Sequence, residues 1–311
     1  MIPQPTLQAI RFIRVRAVFE AMDTVNLPPY KGSAFRGCLG DALRRIACRK
    51  PAGICRKCRD VHTCSVALLY ESPLPDNHPL KGKYNRSPHP YIIEPMPDTT
   101  MEFTAGQTFG FDVVLIGSAM QYLPLLVQGI SVMGSLGIGK NRGHFRPVSL
   151  CKVMPDGQSL LLATFEQPEP LSLESLALPE VNGELGLQFE TPLRIKIAGK
   201  LAQASDVGFA LLANRLSERL ALLAHLHCGA EWQMPVSLMD NGIATTGCRL
   251  QFFDWQRYSS TQDDHMNFGG LTGRVGFRGD FSAYLPMLLL GEQLHAGSNT
   301  TFGLGKYQII T

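Results

Sequence analysis

The sequence predicts an α+β protein in which one order of elements (strand, helix, two strands, helix, strand) is written twice. Three observations predict it. Apolar residues alternate in segments of strand length, amphipathic segments of helical spacing lie between them, and two glycine-rich turns each join a helix to a closing strand. The chain has 311 residues, long for one compact domain and comfortable for two.

In the first copy, residues 7–20 alternate as a strand does, and Leu27-Pro28-Pro29 turns the chain. Lys31 to Ala47 reads as a helix, with Phe35, Cys38, Leu39, Ala42, Leu43 and Ile46 as its apolar stripe and Arg36 and Arg44 at or beyond its edge. A cysteine-containing loop follows, then a Pro-rich, basic stretch to Pro97 whose turn residues argue against regular structure. Strand-like segments span 101–116, a helix 119–133, and the turn Gly134 to Gly143 leads into a strand from His144 to Val153. An acidic, Pro-containing linker covers 166–184, which divides the chain into an N-terminal domain (1–165) and a C-terminal domain (185–311).

The second copy starts with a strand at 186–197 and a long helix at 205–227, where Phe209, Leu212, Leu216, Leu220 and Leu223 keep helical spacing. Strands near 246–257 and 271–279 and a helix near 282–295 follow. The turn Gly297 to Gly305 then runs into the last strand, Lys306 to Ile310. This is the ferredoxin-like order, given twice. Two antiparallel sheets, each covered by helices on one face, would bury the apolar content of the chain.

Composition narrows the function. Hydrophobic residues make up 45% and charged residues 18%, which excludes a disordered chain. The 30 Gly and 21 Pro show no Gly-X-Y period, which excludes collagen. The opening residues alternate Arg with apolar side chains and lack the apolar core of a signal peptide. Val113 to Gly139 runs 27 residues without a charge, the length of a membrane span, but its Gly, Pro, Gln and Ser residues divide it into a strand and an amphipathic helix. A cytoplasmic protein without a membrane partner is expected. The net charge is only +3, yet residues 1–100 carry +7 and the remainder −4. Between Lys31 and Arg59 stand nine basic side chains and one acid, Asp41. Such a cluster suits a phosphate-rich partner.

Of eight cysteines, Cys48, Cys55, Cys58 and Cys64 lie within seventeen residues, and Cys38, Cys151, Cys228 and Cys248 are scattered among apolar residues as small core side chains. Cys55-Arg-Lys-Cys58 has the two-residue gap that turns two thiolates onto one ion, and the Lys and Arg neighbours favour the thiolate form. One tetrahedral zinc held by the four sulfurs is expected. With no open position it would be structural. An iron–sulfur cluster has the same ligand count, His62 could replace one sulfur, and two disulfides or four unrelated thiols fit the same residues.

The glycine-rich turns suit an anion, because a backbone without Cβ approaches closely and successive N–H groups make a nest. Lys140, Arg142 and Arg146 flank the first turn, and Lys306 ends the second. Neither turn sits between a strand and a following helix, so a dinucleotide-binding loop is excluded, and no Gly-Lys-Ser/Thr stands in the frame of a Walker A loop. Tight helix-to-strand turns with solvated charges remain the plain alternative.

The run Gly291-Glu-Gln-Leu-His295-Ala-Gly-Ser-Asn-Thr-Thr-Phe-Gly-Leu-Gly-Lys-Tyr307 resembles the terminal glycine loop of the CRISPR repeat endoribonucleases, the Cas-six branch of the RAMP superfamily. Phe35-Arg-Gly-Cys-Leu-Gly40 with the cysteine cluster, Gly137-Ile-Gly-Lys-Asn-Arg-Gly143, and Trp255-Gln-Arg-Tyr-Ser259 followed by Gly269-Gly-Leu-Thr-Gly273 match in the expected order and cover nearly the whole chain. The four-Cys insertion is similar to one lineage of that family. The resemblance implies tandem ferredoxin-like (RRM-like) domains and metal-independent cleavage of precursor CRISPR RNA within its repeats. An RNA 2′-hydroxyl attacks the adjacent phosphorus, leaving a 2′,3′-cyclic phosphate and a 5′-hydroxyl. The partners implied are repeat RNA, the processed crRNA and subunits of a CRISPR effector.

That reaction needs a base, an acid and cations or N–H donors for the phosphate. Many family members carry a histidine at the first helix, whereas Leu27 to Ala47 contains none. His295, just before the second glycine turn, is the leading base, with a helix C-terminal histidine favoured by the macrodipole as its plain alternative. Tyr30 and Lys31 are the candidates for acid or for positioning the 2′-hydroxyl, and Arg36 for stabilising the phosphate. Arg257, Tyr258 and His265 form a second set. RNA contacts are expected from Arg44, Lys140, Arg142, Arg146, Arg257, Tyr258, Gly297, Gly303, Gly305 and Lys306. His225 and His227 read as structural, and His78 and His89 lie in a Pro-rich loop without evident partners. The alternative function is a non-catalytic RAMP subunit that holds crRNA within an effector complex, and the missing first-helix histidine favours it.

Overall fold

The structure, a computed structural model, describes residues 2–50, 54–74, 76–84, 87–162, 168–238, 242–254, 256–259 and 264–311, with the chain path alone for Arg56, 256–259 and 264–267. These residues form two compact units, one of Arg11–Leu171 with Leu226–Cys228, the other of Met1–Ile10, Ser172–His225 and Gly229–Thr311. Helix α1 (Gln4–Gln8), begun by Pro3 and Pro5, belongs to the second unit.

In the N-terminal unit, β1 (Phe12–Ala21) alternates as read: Ile13, Val15, Ala17, Phe19 and Ala21 are buried in the core, and Arg14 and Arg16 take the opposite face. After the short β2 (Val25–Asn26) comes α2 (Gly32–Ala47), whose stripe from Phe35 to Leu43 is buried, with Arg44 and Arg45 in its last turn complementing the helix dipole. Ile46, expected in the stripe, is instead exposed at the helix end.

The stretch expected to lack regular structure contains two elements, α3 (Ser65–Tyr70) and β3 (Tyr91–Pro95). Tyr91, Ile92 and Ile93 supply an apolar run that pairs with a neighbour on one side only, and an edge strand tolerates Pro95. This corrects the first copy. Its second strand is β3, while β4 (Glu102–Phe103) pairs with β2 outside the main sheet. Then come β5 (Thr108–Ile116), a 3₁₀ stretch Gly117–Tyr122, and α4 (Leu123–Leu136) with Pro124 in its first turn. The uncharged run is thereby broken, and among the described residues no helix is long and apolar enough to cross a membrane.

The unit closes with β6 (Phe145–Val153) and β7 (Ser159–Leu161). The antiparallel sheet has the order β3-β5-β1-β6-β7, and its first four strands follow the ferredoxin-like arrangement. Helix α4 lies so close to α2 that a Cβ on Gly129 would stand 2.8 Å from Leu43. On the face away from the core, Arg14 bonds Glu94 at 2.6 Å and Arg16 bonds Asp112 at 2.7 Å, so Arg14, Glu94 and Asp112 are buried as a paired group.

The C-terminal unit repeats the order with β8 (Glu184–Leu193), a small hairpin of β9 (Lys196–Ile197) and β10 (Lys200–Leu201), and α5 (Phe209–Cys228). It continues with β11 (Ala244–Phe253), a hairpin of β12 (Gln256–Ser259) and β13 (Asp264–Asn267), then β14 (Gly270–Arg278), α6 (Leu285–Leu294) and β15 (Tyr307–Ile310). The sheet order β11-β14-β8-β15 is again ferredoxin-like and antiparallel. Phe209 of α5 packs edge-on against Phe277 of β14 at 5.3 Å, and the α5 residues Leu212, Leu216, Leu220 and Leu223 are all buried. Helix α1 packs on α6 and on the 3₁₀ turn Leu173–Ser175, which is why the first ten residues group with this unit and not with the N-terminal domain as expected. The expected linker 166–184 lies partly outside the described residues.

Candidate functional site

The glycine-rich turn of the N-terminal unit is built against β2 and the residue that precedes it, Thr24. Ile138 and Gly143 form a bridge, Lys140 N–H donates to Asn26 O at 3.2 Å, and the Asn141 side chain accepts from Asn26 N–H at 3.1 Å and donates to Thr24 O. A Cβ at Gly139 would stand 1.9 Å from Asn26 O, so glycine is required by the neighbouring backbone and its positive φ. Lys140, Arg142 and Arg146 are all exposed here. Arg146 pairs with Glu20 at 3.0 Å, and Arg142 donates to Leu136 O at 3.3 Å.

The same turn presents a histidine that the sequence pattern does not single out. His144 N–H donates to Asp23 Oδ1 at 2.8 Å, and its Nδ1 lies 3.0 Å from Asp23 Oδ2. Both side chains are more than half exposed. The ring and main-chain hydrogen bonds from His144 hold the Asp23 carboxyl below the usual carboxylate range. Local pattern carries no signal for this pair, because the two residues are 121 positions apart.

At the start of α2 the predicted catalytic residues are bound into the fold. Lys31 is buried, its Nζ donates to Asp98 O, and burial draws its pKa down against the pull of Asp98. Tyr30 is half-buried, and burial followed by the charge of Glu94 pushes its phenol well above the ordinary range. Arg36 donates from Nε to Tyr91 Oη at 2.8 Å and stacks over the ring of Tyr70 at 5.1 Å. Arg36 therefore ties α2 to β3, and Lys31 joins α2 to the loop after β3. Arg44 is half-buried, while Arg45, Arg49, Lys50, Lys57 and Arg59 are exposed.

Of the four clustered cysteines, Cys55 is buried and the others are half-buried, all as free thiols. Burial raises the Cys55 thiol; Arg44 counters it, and Cys48 and Cys64 lie near enough to add to the rise. Among the described residues, however, no group of three or more His, Cys, Asp or Glu stands in a geometry that could hold a metal ion. Cys38 is buried as a core residue, but Cys248 is exposed on β11.

The second glycine turn has a largely internal hydrogen-bond pattern. Ala296 N–H donates to Gly305 O, Gly305 N–H to Pro192 O, Ser298 N–H to Arg194 O, and Gly303 O accepts from Thr191 Oγ1 at 2.8 Å. A Cβ on Gly305 would meet Ala296 O at 1.8 Å and one on Gly297 would meet Arg194 O at 2.6 Å. Gly303 and Gly305 are buried, and Lys306 pairs with Glu190 at 3.2 Å. Close backbone packing accounts for Gly297 and Gly305, and Gly297 and Ser298 are the more open part of the turn, half-buried and exposed.

His295 lies at the end of α6 with φ of 62° and is 0% exposed. Its Nδ1 meets Leu304 O at 3.1 Å, and Arg219 donates to its carbonyl at 3.2 Å. A base must come within hydrogen-bond reach of the proton it takes, and an imidazole sealed in the core does not meet a polynucleotide. This corrects the assignment of His295 as the base.

The side chains of Arg257, Tyr258 and His265 lie outside the described residues. Their backbones form the β12–β13 hairpin with Tyr258 opposite His265. His78 and His89 do have partners: His78 Nδ1 accepts from Leu80 N–H at 3.2 Å, and His89 Nδ1 meets Ser72 Oγ at 3.0 Å.

Comparison with known proteins matches residues 9–173 to an N-terminal domain family, AF_1859_N, and residues 187–307 to the CRISPR-associated endoribonuclease Cas6. An uncharacterized protein of Archaeoglobus fulgidus is 22% identical over 298 residues, which cover 91% of this chain and 93% of that one. Among solved structures, a partial Cas6-RT-Cas1–Cas2 complex aligns with a TM-score of 0.57 at 15% identity over 97% of this chain. The chain spans 46% of that protein's length. A Thermus thermophilus Cas6 aligns with a TM-score of 0.52 at 12% identity, covering 97% of this chain and 99% of its own. A Cas6 product complex gives 0.54 at 13% identity over 96% and 99%. At these identities the structural likeness establishes the fold, tandem ferredoxin-like units with antiparallel sheets.

Proposed function

We propose that this chain is a Cas6-type endoribonuclease of the RAMP family that cuts precursor CRISPR RNA within its repeats. The Cas6 match over 187–307 supports the reading most directly. It falls on the unit whose last helix, glycine-rich turn and closing strand keep the ferredoxin-like arrangement.

The chemistry proposed is an internal transesterification. The RNA's own 2′-oxygen bonds to the adjacent phosphorus, the P–O5′ bond breaks, and the products end in a 2′,3′-cyclic phosphate and a 5′-hydroxyl. Since the substrate supplies its nucleophile, the protein has three tasks: accepting the 2′ proton, protonating O5′, and offsetting charge on the phosphate. The scheme asks for no metal. Exposed Lys140, Arg142 and Arg146 beside the first glycine turn, with the exposed cations after α2, support the third task.

The partner proposed is repeat RNA and its processed crRNA. Further CRISPR proteins are proposed as well, on the likeness to a solved complex in which Cas6 stands with RT, Cas1 and Cas2. One structural zinc at Cys48, Cys55, Cys58 and Cys64 is proposed, supported by their spacing and by the nearness of Cys48 and Cys64 to Cys55. No step of the reaction runs through it.

The test is incubation of the purified chain with labelled repeat RNA in EDTA, beside a control without chelator in case the cysteine loop depends on metal. Cut product in EDTA carrying a cyclic phosphate is expected. Binding without cutting in both arms would favour the second reading, a crRNA-holding RAMP subunit. The burial of His295 and Lys31 is the observation on its side.

A further inference from the structure

His144 and Asp23 form a pair with the features of a proton-transfer device. One carboxylate grips the histidine twice, Oδ1 at the main-chain N–H and Oδ2 at Nδ1. The backbone is held as well, since Met22 N–H donates to His144 O at 2.9 Å. A carboxylate at Nδ1 keeps that nitrogen protonated and leaves the lone pair on Nε2. The His144 side chain is 58% exposed, so a polynucleotide can reach it.

The surroundings suit a phosphodiester. Lys140 and Arg142 stand in the turn just before His144, and Arg146 follows two residues later on β6; all three are exposed. The charged groups on the neighbouring elements are Glu20 at the end of β1, which is paired with Arg146, Asp23 itself, and Glu102 on β4 opposite Asn26. His295 has none of this exposure, and Lys31 is buried against Asp98 O.

We propose that His144, oriented by Asp23, accepts the proton of the RNA 2′-hydroxyl, with Lys140, Arg142 and Arg146 drawing the scissile phosphate to the same turn. The proposal rests on the endoribonuclease reading above. As the O2′–H bond breaks, the proton passes to Nε2 and the 2′-oxygen bonds to phosphorus. The P–O5′ electron pair leaves with O5′, which takes a proton from water, and the imidazolium later returns its proton to solvent. Asp23 is a positioning residue that also stabilises the imidazolium.

The experiment is single-turnover cleavage of labelled repeat RNA by the full chain and by His144→Ala, His144→Gln and Asp23→Asn between about pH 5 and 9, with RNA affinity and thermal unfolding measured on each. Expected are a loss of about 100-fold or more in rate for both His144 variants, affinity within a few-fold, and partial rescue of His144→Ala by added imidazole. Asp23→Asn should slow the reaction less and displace the acidic limb of the pH–rate profile, which a purely structural tie would leave in place. Cleavage by His144→Ala at the wild-type rate overturns the proposal and leaves the endoribonuclease reading intact. A loss matched by an equal loss of affinity or of folding, without imidazole rescue, overturns it too. Failure of the wild-type chain to cut repeat RNA removes both readings.

Discussion

The guanidinium of Arg219, buried on α5, donates to the carbonyl oxygens of His295 at 3.2 Å and of Leu294 at 3.0 Å, closing the C-terminal end of α6. Burial draws its pKa down to about 10, so it remains charged at neutral pH, and the negative end of the helix dipole takes the place of a carboxylate. His295 is thereby fixed at the corner where α6 turns into the second glycine-rich segment, its own ring tied to Leu304 O.

Both members of that corner should act on stability. Arg219→Met leaves two carbonyls unpaired, at about 1–3 kcal/mol each, and should lower the urea midpoint markedly. His295→Ala should also destabilise, since it loses a buried hydrogen bond at a positive φ. RNA cleavage per folded molecule should stay within a few-fold of wild type. A hundredfold fall in the rate of folded His295→Ala would return this residue to the chemistry.

Exposure predicts which cations meet RNA. Lys140→Ala combined with Arg142→Ala should flatten the dependence of affinity on salt, by about 0.7 in the log–log slope for each single-strand phosphate no longer neutralised. Arg36→Ala should leave that slope unchanged and lower stability, because Arg36 is spent on Tyr91 and Tyr70. A slope that responds only to Arg36 would put the RNA at the other end of the sheet.

Asp23 carries a pH signature. Its folded pKa lies below the unfolded one because His144 donates to it. Its contribution to stability is therefore complete above the unfolded value, about 4, and is lost as pH falls through the folded value. The gap in thermal midpoint between wild type and Asp23→Asn should shrink from about pH 5 to about pH 2. A gap that stays constant would show that the hydrogen bonds do not select the ionised carboxylate.

Elemental analysis of the purified chain tests the cysteines. About one zinc per chain, lost in Cys55→Ser and Cys58→Ser with lowered stability, is the expected result. Folded protein with no metal would leave Cys48, Cys55, Cys58 and Cys64 as four free thiols ahead of α3.

Period and spacing are local properties, and they determined the doubled strand–helix order, the apolar stripes of α2 and α5 and the basic character of the first hundred residues. They also marked both glycine-rich turns, although part of the reason for those glycines, backbone atoms of Asn26 and Arg194 pressing from elsewhere in the chain, lay outside the local pattern. Only the tertiary structure decided that β3, inside a Pro-rich stretch, completes the first sheet, since pairing with β5 supplies what local propensity lacks. It likewise sealed His295 in the core and brought Asp23 to His144 across 121 residues. Burial and long-range pairing depend on which surfaces cover one another. A residue's type shows what it can do, and its neighbours in space decide whether substrate reaches it.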